Sequence, residues 1–552
     1  MTYDYDAIDA KKFFKNGRIA LLPEEDIYKR KAAIGLLCDE ISQTLPTKAE
    51  FEKAKNAYAK KFKLANVIKN AEVFSELEER NTSIDGLLAN LLKVKDVRGR
   101  SGITNIAIMT RPLDSCPFCC IYCPQGIDAP KSYTGFEPSA RRAKQNGFDA
   151  FKMTSARLEQ LRISGHAATK CELIIQGGTF NRQPKKYREN FLRGALCAFN
   201  EKKSSTLATA LKANEHAPHR MIGLTIETRP DCASKKEIID LLGIGTTRIE
   251  LGVQALSDEV YKKARRGHTV NDVAIATKNC KDALLKVCYH MMPGLFSTPK
   301  EDEKYFRMLF ADARFAPDML KIYPTLVMPG TGLYDLWKKG EYEPYDEKTA
   351  RKLLARIKER VPKYARIMRI ERDIPSNLIS HGIMALNIRQ LVREDMQAHG
   401  KKCACIRCRE VGFKIKHEKI KPDYSAVGLE RIDYDASGGK EIFLSMVDRT
   451  NDALMGICRV RKPSDESYVN EVGNNCGVRE LHVYGEELPI SERKIHATQH
   501  KGYGKALLAE AERIAKEEFD SEKLLVISGV GAKEYYYKQG YKTDGTFVSK
   551  KL

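Results

Sequence analysis

The chain has 552 residues, enough for three or four domains, and its 42% hydrophobic and 30% charged residues are an ordinary globular balance. No apolar run is long enough to span a bilayer, and Met1–Lys12 is polar and acidic, unlike a secretory signal. The net charge of +21 points to a polyanionic partner, nucleic acid rather than a membrane surface, and fifteen cysteines without a signal point to a reducing, cytoplasmic setting.

Residues 1–97 read as helices with periodic apolar positions and Lys-rich faces: Lys11, Lys12 and Lys15, then Lys53, Lys55, Lys60, Lys61 and Lys63. A basic helical region is expected to bind nucleic acid through phosphates; the plain alternative is a solubility device. The polar connector Asp96–Gly102 leads into residues 98–375. There six short apolar strands alternate with helices: Ile106–Thr110, Glu172–Gln176, Ile222–Glu227, Arg248–Val253, Lys286–Met291 and Leu320–Thr325. Strand–helix repetition without long hairpins predicts an α/β parallel sheet closed part-way into a TIM-like (β/α)6 barrel.

The loop after the first strand reads CPFCCIYC. Cys116, Cys120 and Cys123 form a C-x3-C-x2-C triad, which leaves one iron of a [4Fe-4S] cluster without a protein ligand. An open iron can bind and reduce S-adenosylmethionine, so radical chemistry is the leading reading. Two adjacent C-x-x-C pairs would instead suggest zinc, but zinc pairs are separated by a dozen or more residues. Cys119 is surplus in the cluster reading, an ordinary packed cysteine. Arg98, Arg100, Arg111, Arg141, Arg142 and Lys144 lie near this loop in sequence.

Gly177 and Gly178 end the second strand, where exposed backbone could hold the amino-acid end of S-adenosylmethionine. Glu227 and Glu250 end or near-end the third and fourth strands. Each is either a cofactor or substrate contact or one half of a salt bridge, Glu227–Arg229 or Glu250–Arg248. A connector over 376–425 carries Cys403, Cys405 and Cys408. Three close thiols suggest structural zinc, with His399 and His417 as candidates for the missing ligand; three reduced thiols are the alternative.

Residues 426–552 read as a compact α+β domain. Gln499, Gly502, Tyr503, Gly504 and Lys505 precede a helix in the pattern Q-x-x-G-x-G. Amides at a helix N-terminus make a pyrophosphate site, and the pattern fits the coenzyme A loop of GCN5-related acetyltransferases. Tyr535 and Tyr536 follow on the last helix, where one tyrosine can reach the thioester sulfur and its neighbours pack.

Taken in order, SYTGFEP (Ser132–Pro138), GGTF (Gly177–Phe180), IETRPD (Ile226–Asp231), RIELGVQ (Arg248–Gln254), RGHT (Arg266–Thr269), HMMPGL (His290–Leu295), CIRCREVG (Cys405–Gly412), VRELHVYG (Val478–Gly485) and GYGKALLAEAERIA (Gly502–Ala515) resemble the Elongator catalytic subunit family, the radical-SAM tRNA uridine(34) acetyltransferases. The resemblance covers roughly residues 90–552. Two departures stand out: the gap between the first two cluster cysteines is shorter than the family's, and Pro124-Gln125-Gly126 stands where the family has Pro-Gly-Gly. Neither removes a ligand.

The resemblance implies carboxymethylation at C5 of the wobble uridine. A 5′-deoxyadenosyl radical takes hydrogen from the methyl group of acetyl-CoA, the carbon radical adds to uridine, and thioester hydrolysis leaves the product. Carried over, Cys116, Cys120 and Cys123 hold the cluster; Lys170, Glu480, Leu481, His482, Val483, Tyr503, Gly504, Lys505 and Tyr536 contact acetyl-CoA, with Lys170 and Tyr536 nearest the chemistry. It also implies tRNA as substrate, an electron donor for the cluster, and a homodimer or Elongator-type accessory subunits, with no membrane. The expected domains are a basic helical tRNA-binding region over 1–97, a radical SAM domain over 98–375, a zinc linker over 376–425 and a GCN5-related acetyltransferase domain over 426–552. A protein lysine acetyltransferase using only the last domain is the alternative, and it leaves the triad unexplained.

Overall fold

The computed structural model describes residues 14–15, 18–19, 24–82, 88, 91–92, 101–112, 118–124, 126, 128–166, 168–485 and 502–552. They divide into two compact units, one of residues 1–99 with 156–168, the other of residues 100–155 with 169–552.

In the first unit, helices α1 (Glu24–Thr44), α2 (Lys48–Lys61) and α3 (Asn70–Glu79) bury Leu37, Ile41, Phe51, Val73 and Leu77. Thr47 and Glu50 form a capping box that starts α2, satisfying amides the helix itself cannot. Lys53, Lys60, Lys61 and Lys63 are exposed, as a basic face requires. Lys55 is not part of that face: it is 5% exposed and its ammonium donates to Asn70 Oδ1 at 2.6 Å. Lys11, Lys12, Arg98 and Arg100 lie outside the described residues.

The second unit holds two seven-stranded sheets. In the first, β1 (Thr104–Met109), β2 (Lys170–Gln176), β3 (Arg220–Thr228), β4 (Arg248–Gln254), β5 (Lys286–Met291), β6 (Met319–Ile322) and β7 (Arg366–Ile370) lie side by side in chain order. Every pairing is parallel. The half-barrel therefore has one strand more than the six expected. The segment RIMRI (β7) carries two arginines among its apolar residues, which hides a short edge strand from an apolar pattern.

Side-chain alternation gives the sheet two unlike faces. Leu173, Ile175, Leu224, Ile226, Ile249, Leu251, Val287, Tyr289, Leu320 and Ile322 are fully buried. They form the outer face, as the Tyr289 hydroxyl shows by bonding Thr277 on helix Val270–Asp282. The inner face carries Glu172, Thr225, Glu227, Arg248, Glu250, Cys288, His290 and Lys321, placed together by the registers Thr225↔Arg248, Glu227↔Glu250, Glu250↔Cys288 and His290↔Lys321. A charged lining behind an apolar shell is what a barrel needs to hold polar ligands.

The linker is helical at Ile388–Ala398, Ile406–Arg409 and Val411–Glu418, and docks on β7 through the Ile406 amide to Ala365 O at 3.0 Å. The second sheet runs β8 (Val427–Ala436), β9 (Gly439–Asp448), β10 (Ala453–Lys462), β11 (Gly477–Val483), β12 (Lys523–Val526), β14 (Phe547–Lys551), β13 (Lys542–Asp544). Only β11 and β12 pair in parallel. Helix α4 (Tyr503–Glu517) seats Leu507, Leu508, Ala511 and Ile514 on Leu444, Val460 and Val478.

This sheet packs against the N-terminal ends of the barrel strands. Arg479 reaches Asp318 just before β6, Arg461 reaches Asp282, Lys281 reaches Glu441, and His482 Nε2 lies 2.7 Å from Ser101 O. Among the described residues no helix is long and apolar enough to cross a membrane.

Candidate active site

The cysteine loop leaves β1 at the C-terminal end of the barrel. Cys116 lies outside the described residues. Cys120 and Cys123 are half-buried and joined by a turn, Cys123 N to Cys120 O at 3.1 Å. The turn is pinned from both sides by Ile121 N to Ala264 O at 3.2 Å and Leu333 N to Ile121 O at 3.0 Å. Cys119 is exposed rather than packed, so it is not part of the core.

Two arginines converge on Cys120: Arg266 Nη1 donates to its sulfur at 3.3 Å and Arg229 Nη1 at 3.5 Å. Burial opposes ionisation of this thiol, but Arg266 and then Arg229 outweigh it and hold Cys120 below its usual range. Arg229 also lies 3.5 Å over the Phe118 ring. Sequence reasoning named Arg229 only as a possible partner of Glu227 and set neither arginine beside the cysteines. The signal was there, since IETRPD ends a barrel strand and RGHT precedes a helix on the following turn.

The SYTGF segment crosses the mouth of the barrel. Tyr133 donates to Glu227 Oε2 at 2.8 Å, Arg372 donates to Ser132 O, and Lys131 Nζ reaches Phe118 O at 3.4 Å. It lies against Gly177 and Gly178, whose φ values of 137° and 79° belong to glycine. A Cβ at Gly177 would sit 2.1 Å from Thr110 Oγ1, and one at Gly178 would sit 3.4 Å from Lys131 O. Glycine is therefore required at this strand end for close packing: the Thr110 side chain fills the space beside Gly177, and the Lys131 carbonyl lies beside Gly178.

Neither suspected salt bridge is the main one. Glu227 pairs with Tyr133, while Arg229 pairs with Asp231 at 2.8 Å. Glu250 is fully buried; it bonds His290 Nε2 at 2.8 Å and the Lys321 ammonium, with Arg248 farther off at 3.6 Å. Burial pushes Glu250 up, but Lys321, His290 and Arg248 together hold it well below the carboxylate range. Glu250, Cys288 and His290 also bring ligand-type atoms within 4.8 Å of one another. Lys321 occupies the same carboxylate, so a second cation there is disfavoured.

Several polar atoms at this end of the barrel are buried with no partner among the described residues: Arg266 Nε, Tyr122 Oη, both His268 nitrogens, Thr110 Oγ1 and Gln176 Oε1. Buried polar groups are normally satisfied, so this set marks where a polar ligand completes the structure. Two cluster-type cysteines, cationic partners for their sulfur, and these unpartnered polar atoms fit a [4Fe-4S] cluster with S-adenosylmethionine.

The coenzyme A loop is described from Gly502 onward; Gln499 lies outside the described residues. Gly502 takes φ 81° as the N-cap of α4, and among the described residues no side chain caps the helix, so the first-turn amides of Tyr503, Gly504 and Lys505 face an anion-type site. A Cβ on Gly504 would meet Tyr535 Oη at 2.9 Å and Val483 Cγ2 at 3.5 Å. Strands β11 and β12 are paired only at Gly477↔Leu525 and Val478↔Val526, so the edge of β11 from Glu480 to Val483 is left open beside the loop.

The Glu480 side chain is engaged with Arg459 at 2.8 Å and His482 with Ser101 O, while Leu481 packs in the core. The side chains of Glu480, Leu481 and His482 are thus engaged within the protein, while Val483 Cγ2 faces the Gly504 loop. Tyr535 is 37% exposed and reaches the loop, whereas Tyr536 is 6% exposed in the core with its phenol pushed up by burial. Lys170 starts β2, at the opposite end from Gly177–Gly178. Its register partner Arg220 bonds Glu534, next to Tyr535, at 2.5 Å, which sets Lys170 on the acetyltransferase side.

In the linker, the sulfurs of Cys403, Cys405 and Cys408 lie within 4.8 Å of one another. Hydrogen bonds from Cys403 and Cys408 hold Cys405 well below its usual value, as three thiols sharing protons would. Neither candidate histidine joins them: His399 Nδ1 lies 2.7 Å from Asp395 O, and His417 packs at a tilt against Phe413, ring centroids 4.3 Å apart.

Residues 110–309 match the model of the radical SAM superfamily, and residues 317–398 that of the Radical_SAM C-terminal domain. Members of the superfamily carry a [4Fe-4S] cluster and S-adenosylmethionine. The tRNA uridine(34) acetyltransferase of Methanocaldococcus jannaschii is 46% identical over 88% of this chain and 90% of its own length. Human Elongator complex protein 3 is 43% identical over 84% of this chain and 86% of its own length. The solved structure of the archaeal Methanocaldococcus infernus Elp3 with an N-terminal deletion is 43% identical, superposes with a TM-score of 0.74, and covers 82% of this chain and 100% of that one. Identity at this level over most of the length places the chain in the tRNA uridine(34) acetyltransferase family, together with Elongator complex protein 3.

Proposed function

We propose that this chain forms 5-carboxymethyluridine at the wobble uridine, position 34, of tRNA, from S-adenosylmethionine and acetyl-CoA. The observation that carries the reading is that a cluster-type cysteine loop and an open coenzyme A-type helix N-terminus occur in one compact unit, at opposite ends of one set of barrel strands. The cluster and S-adenosylmethionine supply the 5′-deoxyadenosyl radical that activates the acetyl methyl group. The chain's own residues do the rest. Tyr535 and the α4 amides grip acetyl-CoA, while Lys170 lines the entry on the barrel side.

At the mouth, Tyr133 closes over Glu227. Glu250 is held ionised, so His290 Nε2 donates to it, and Nδ1 is the ring nitrogen that Glu250 does not engage. The His290 side chain is also the most exposed of the trio, 16% against 11% for Lys321 and 0% for Glu250. It is the group placed to take the proton lost from uridine C5. The two ends of β2 are about 20 Å apart for a seven-residue strand, so the acyl group must cross the barrel's length.

The deciding experiment is mass spectrometry of tRNA nucleosides after anaerobic incubation with reductant, acetyl-CoA and S-adenosylmethionine. 5-Carboxymethyluridine that depends on all three supports the reading. Acetylated lysine with unmodified tRNA would put the protein acetyltransferase in its place, an activity for which the cysteine loop has no use.

The tRNA is held through its phosphates, with exposed Lys53, Lys60, Lys61 and Lys63 as part of the basic surface. Affinity should fall steeply with salt, because each neutralised phosphate contributes roughly −0.7 to −0.9 to the log–log slope. Deleting residues 1–97 should flatten that slope and weaken binding; an unchanged slope would move the tRNA site elsewhere. Elongator-type subunits are the expected partners.

The linker is proposed to hold about one zinc through Cys403, Cys405 and Cys408, with the fourth position filled from outside the described residues or by solvent. Metal analysis of the triple Cys→Ser variant should show zinc lost and iron kept. A wild-type protein purified without zinc would refute this.

A further inference from the structure

We infer that Arg266, with Arg229 beside it, is the counter-charge of the iron–sulfur cluster and raises its reduction potential. The inference rests on the radical SAM reading of the cysteine loop. Arg266 is 8% exposed. Its Nη2 donates to Gly252 O at 2.6 Å, its Nη1 to Cys120 Sγ at 3.3 Å, and its Nε is buried with no partner. Among the described residues it has no carboxylate in ion-pair contact. A buried guanidinium without a counter-charge is strongly disfavoured, and among the described residues the side-chain acceptor it reaches is the Cys120 sulfur, a cluster ligand in this reading.

Arg229 differs. Its Nε and Nη2 grip Asp231 at 2.9 and 2.8 Å, and its Nη1 donates to Cys120 at 3.5 Å. Asp231 therefore balances Arg229, and among the described residues one positive charge, that of Arg266, has no paired carboxylate beside Cys120. His268 is kept neutral by burial and then by Arg266 and Arg229.

A four-iron cluster on three thiolates carries one negative charge when oxidised and two when reduced. Reduction adds one electron from an external low-potential donor, with no proton and no bond change. A fixed positive charge stabilises the more negative state, so the two arginines favour the reduced form that radical generation requires. Hydrogen bonds to cluster sulfur act in the same direction. Arg266 and Arg229 are positioning residues: they act through the Cys120 sulfur.

The test uses the full chain, reconstituted anaerobically, as wild type, Arg266→Gln, Arg266→Lys and Asp231→Asn. Iron and sulfide are counted, each sample is poised with redox mediators, and the reduced cluster is read by electron paramagnetic resonance. Arg266→Gln should lower the ratio of reduced to oxidised cluster at the wild-type midpoint about tenfold, which is about 59 mV for a one-electron couple. Arg266→Lys keeps the charge and should recover most of that shift. Asp231→Asn removes a negative charge and should move the potential upward. If Arg266→Gln fails to load iron, the opposite-signed Asp231→Asn shift still decides. A loaded Arg266→Gln with an unchanged potential, or Asp231→Asn with no upward shift, overturns the inference alone. A wild type that binds no cluster overturns the radical reading beneath it.

Discussion

Gly504→Glu is expected to abolish acetyl-CoA binding and carboxymethyluridine formation while leaving the iron content unchanged. The new Cβ would sit 2.9 Å from Tyr535 Oη and 3.5 Å from Val483 Cγ2, so the side chain must turn into the space in front of the helix. That space is where the α4 amides await phosphate, and a carboxylate there competes for the same donors. Affinity should drop by at least about 100-fold, roughly 2.8 kcal/mol, read by calorimetry.

The comparison that fixes the mechanism uses Cys120→Ala. This variant should lose most of its iron and all deoxyadenosine production, yet bind acetyl-CoA like wild type. Neither variant should modify tRNA, and each should fail for a different reason. Cys119→Ala should behave as wild type, because Cys119 is exposed and unneeded. Iron lost in Cys119→Ala and kept in Cys120→Ala would reverse the ligand assignment. A Cys120→Ala protein that still made carboxymethyluridine would end the radical mechanism.

The parts of the site legible in the sequence were those whose residue types are rare and closely spaced. Cys120 and Cys123, Gly177–Gly178 and Gly502–Gly504 announce themselves because few structures other than a ligand loop call for them. Strand positions followed from apolar runs, and β5 was read to the residue as Lys286–Met291, whereas the strand expected over Leu320–Thr325 ends at Ile322. What escaped was of two kinds. Strand β7 has too many charges for an apolar pattern, because the linker helix at Ile406–Arg409 and Glu410, bonded to Arg366, cover it.

The partners of charged residues escaped as well. Nearest in sequence suggested Glu227–Arg229 and Glu250–Arg248, but parallel register sets Glu250 beside β5 and β6, where His290 and Lys321 wait. Pairing across strands depends on which residues share a face and a level, and a linear reading carries no such information. The seating of the acetyltransferase sheet beneath the barrel escaped for the same reason. Its contacts join residues more than 150 positions apart.

That seating carries the second large effect, expected for Asp318→Asn. Between the sheets lies a buried ionic network. Asp318 accepts from Arg479 Nη1 at 2.9 Å and Nη2 at 2.5 Å and from the Val287 amide at 2.8 Å, with Arg459 and Lys281 at 3.6 and 3.7 Å. Glu441 bonds Arg461, Arg479 and Lys281; Asp282 bonds Arg461; Glu480 bonds Arg459. The four anions Asp282, Asp318, Glu441 and Glu480 thus face the buried cations Lys281, Arg459, Arg461 and Arg479, with the part-exposed Lys278 also on Asp282 at 3.1 Å.

Asparagine keeps the shape of Asp318 but leaves one positive charge unpaired and presents an NH2 group to a guanidinium. Breaking a buried pair from one side costs about 3–5 kcal/mol, and the variant should unfold at correspondingly lower denaturant. Burial pushes Asp318 up, but Arg479 and Lys281 hold it far below the carboxylate range. Its contribution is thus complete above its unfolded value near 3.9 and is lost only as pH falls below that, so Asp318→Asn should also flatten the acid limb of the stability curve.

A second substitution separates charge from packing. Arg479→Met added to Asp318→Asn removes the stranded cation, and the double variant should recover part of the loss, as apolar replacement of buried pairs commonly does. Asp318→Asn alone at wild-type stability would mean that water reaches the network. A double variant weaker than the single would mean that Arg479 serves Glu441 more than Asp318. Because the same network seats Glu480 and its strand under the barrel, tRNA modification should fall together with stability, while acetyl-CoA binding at α4 is kept below the unfolding transition.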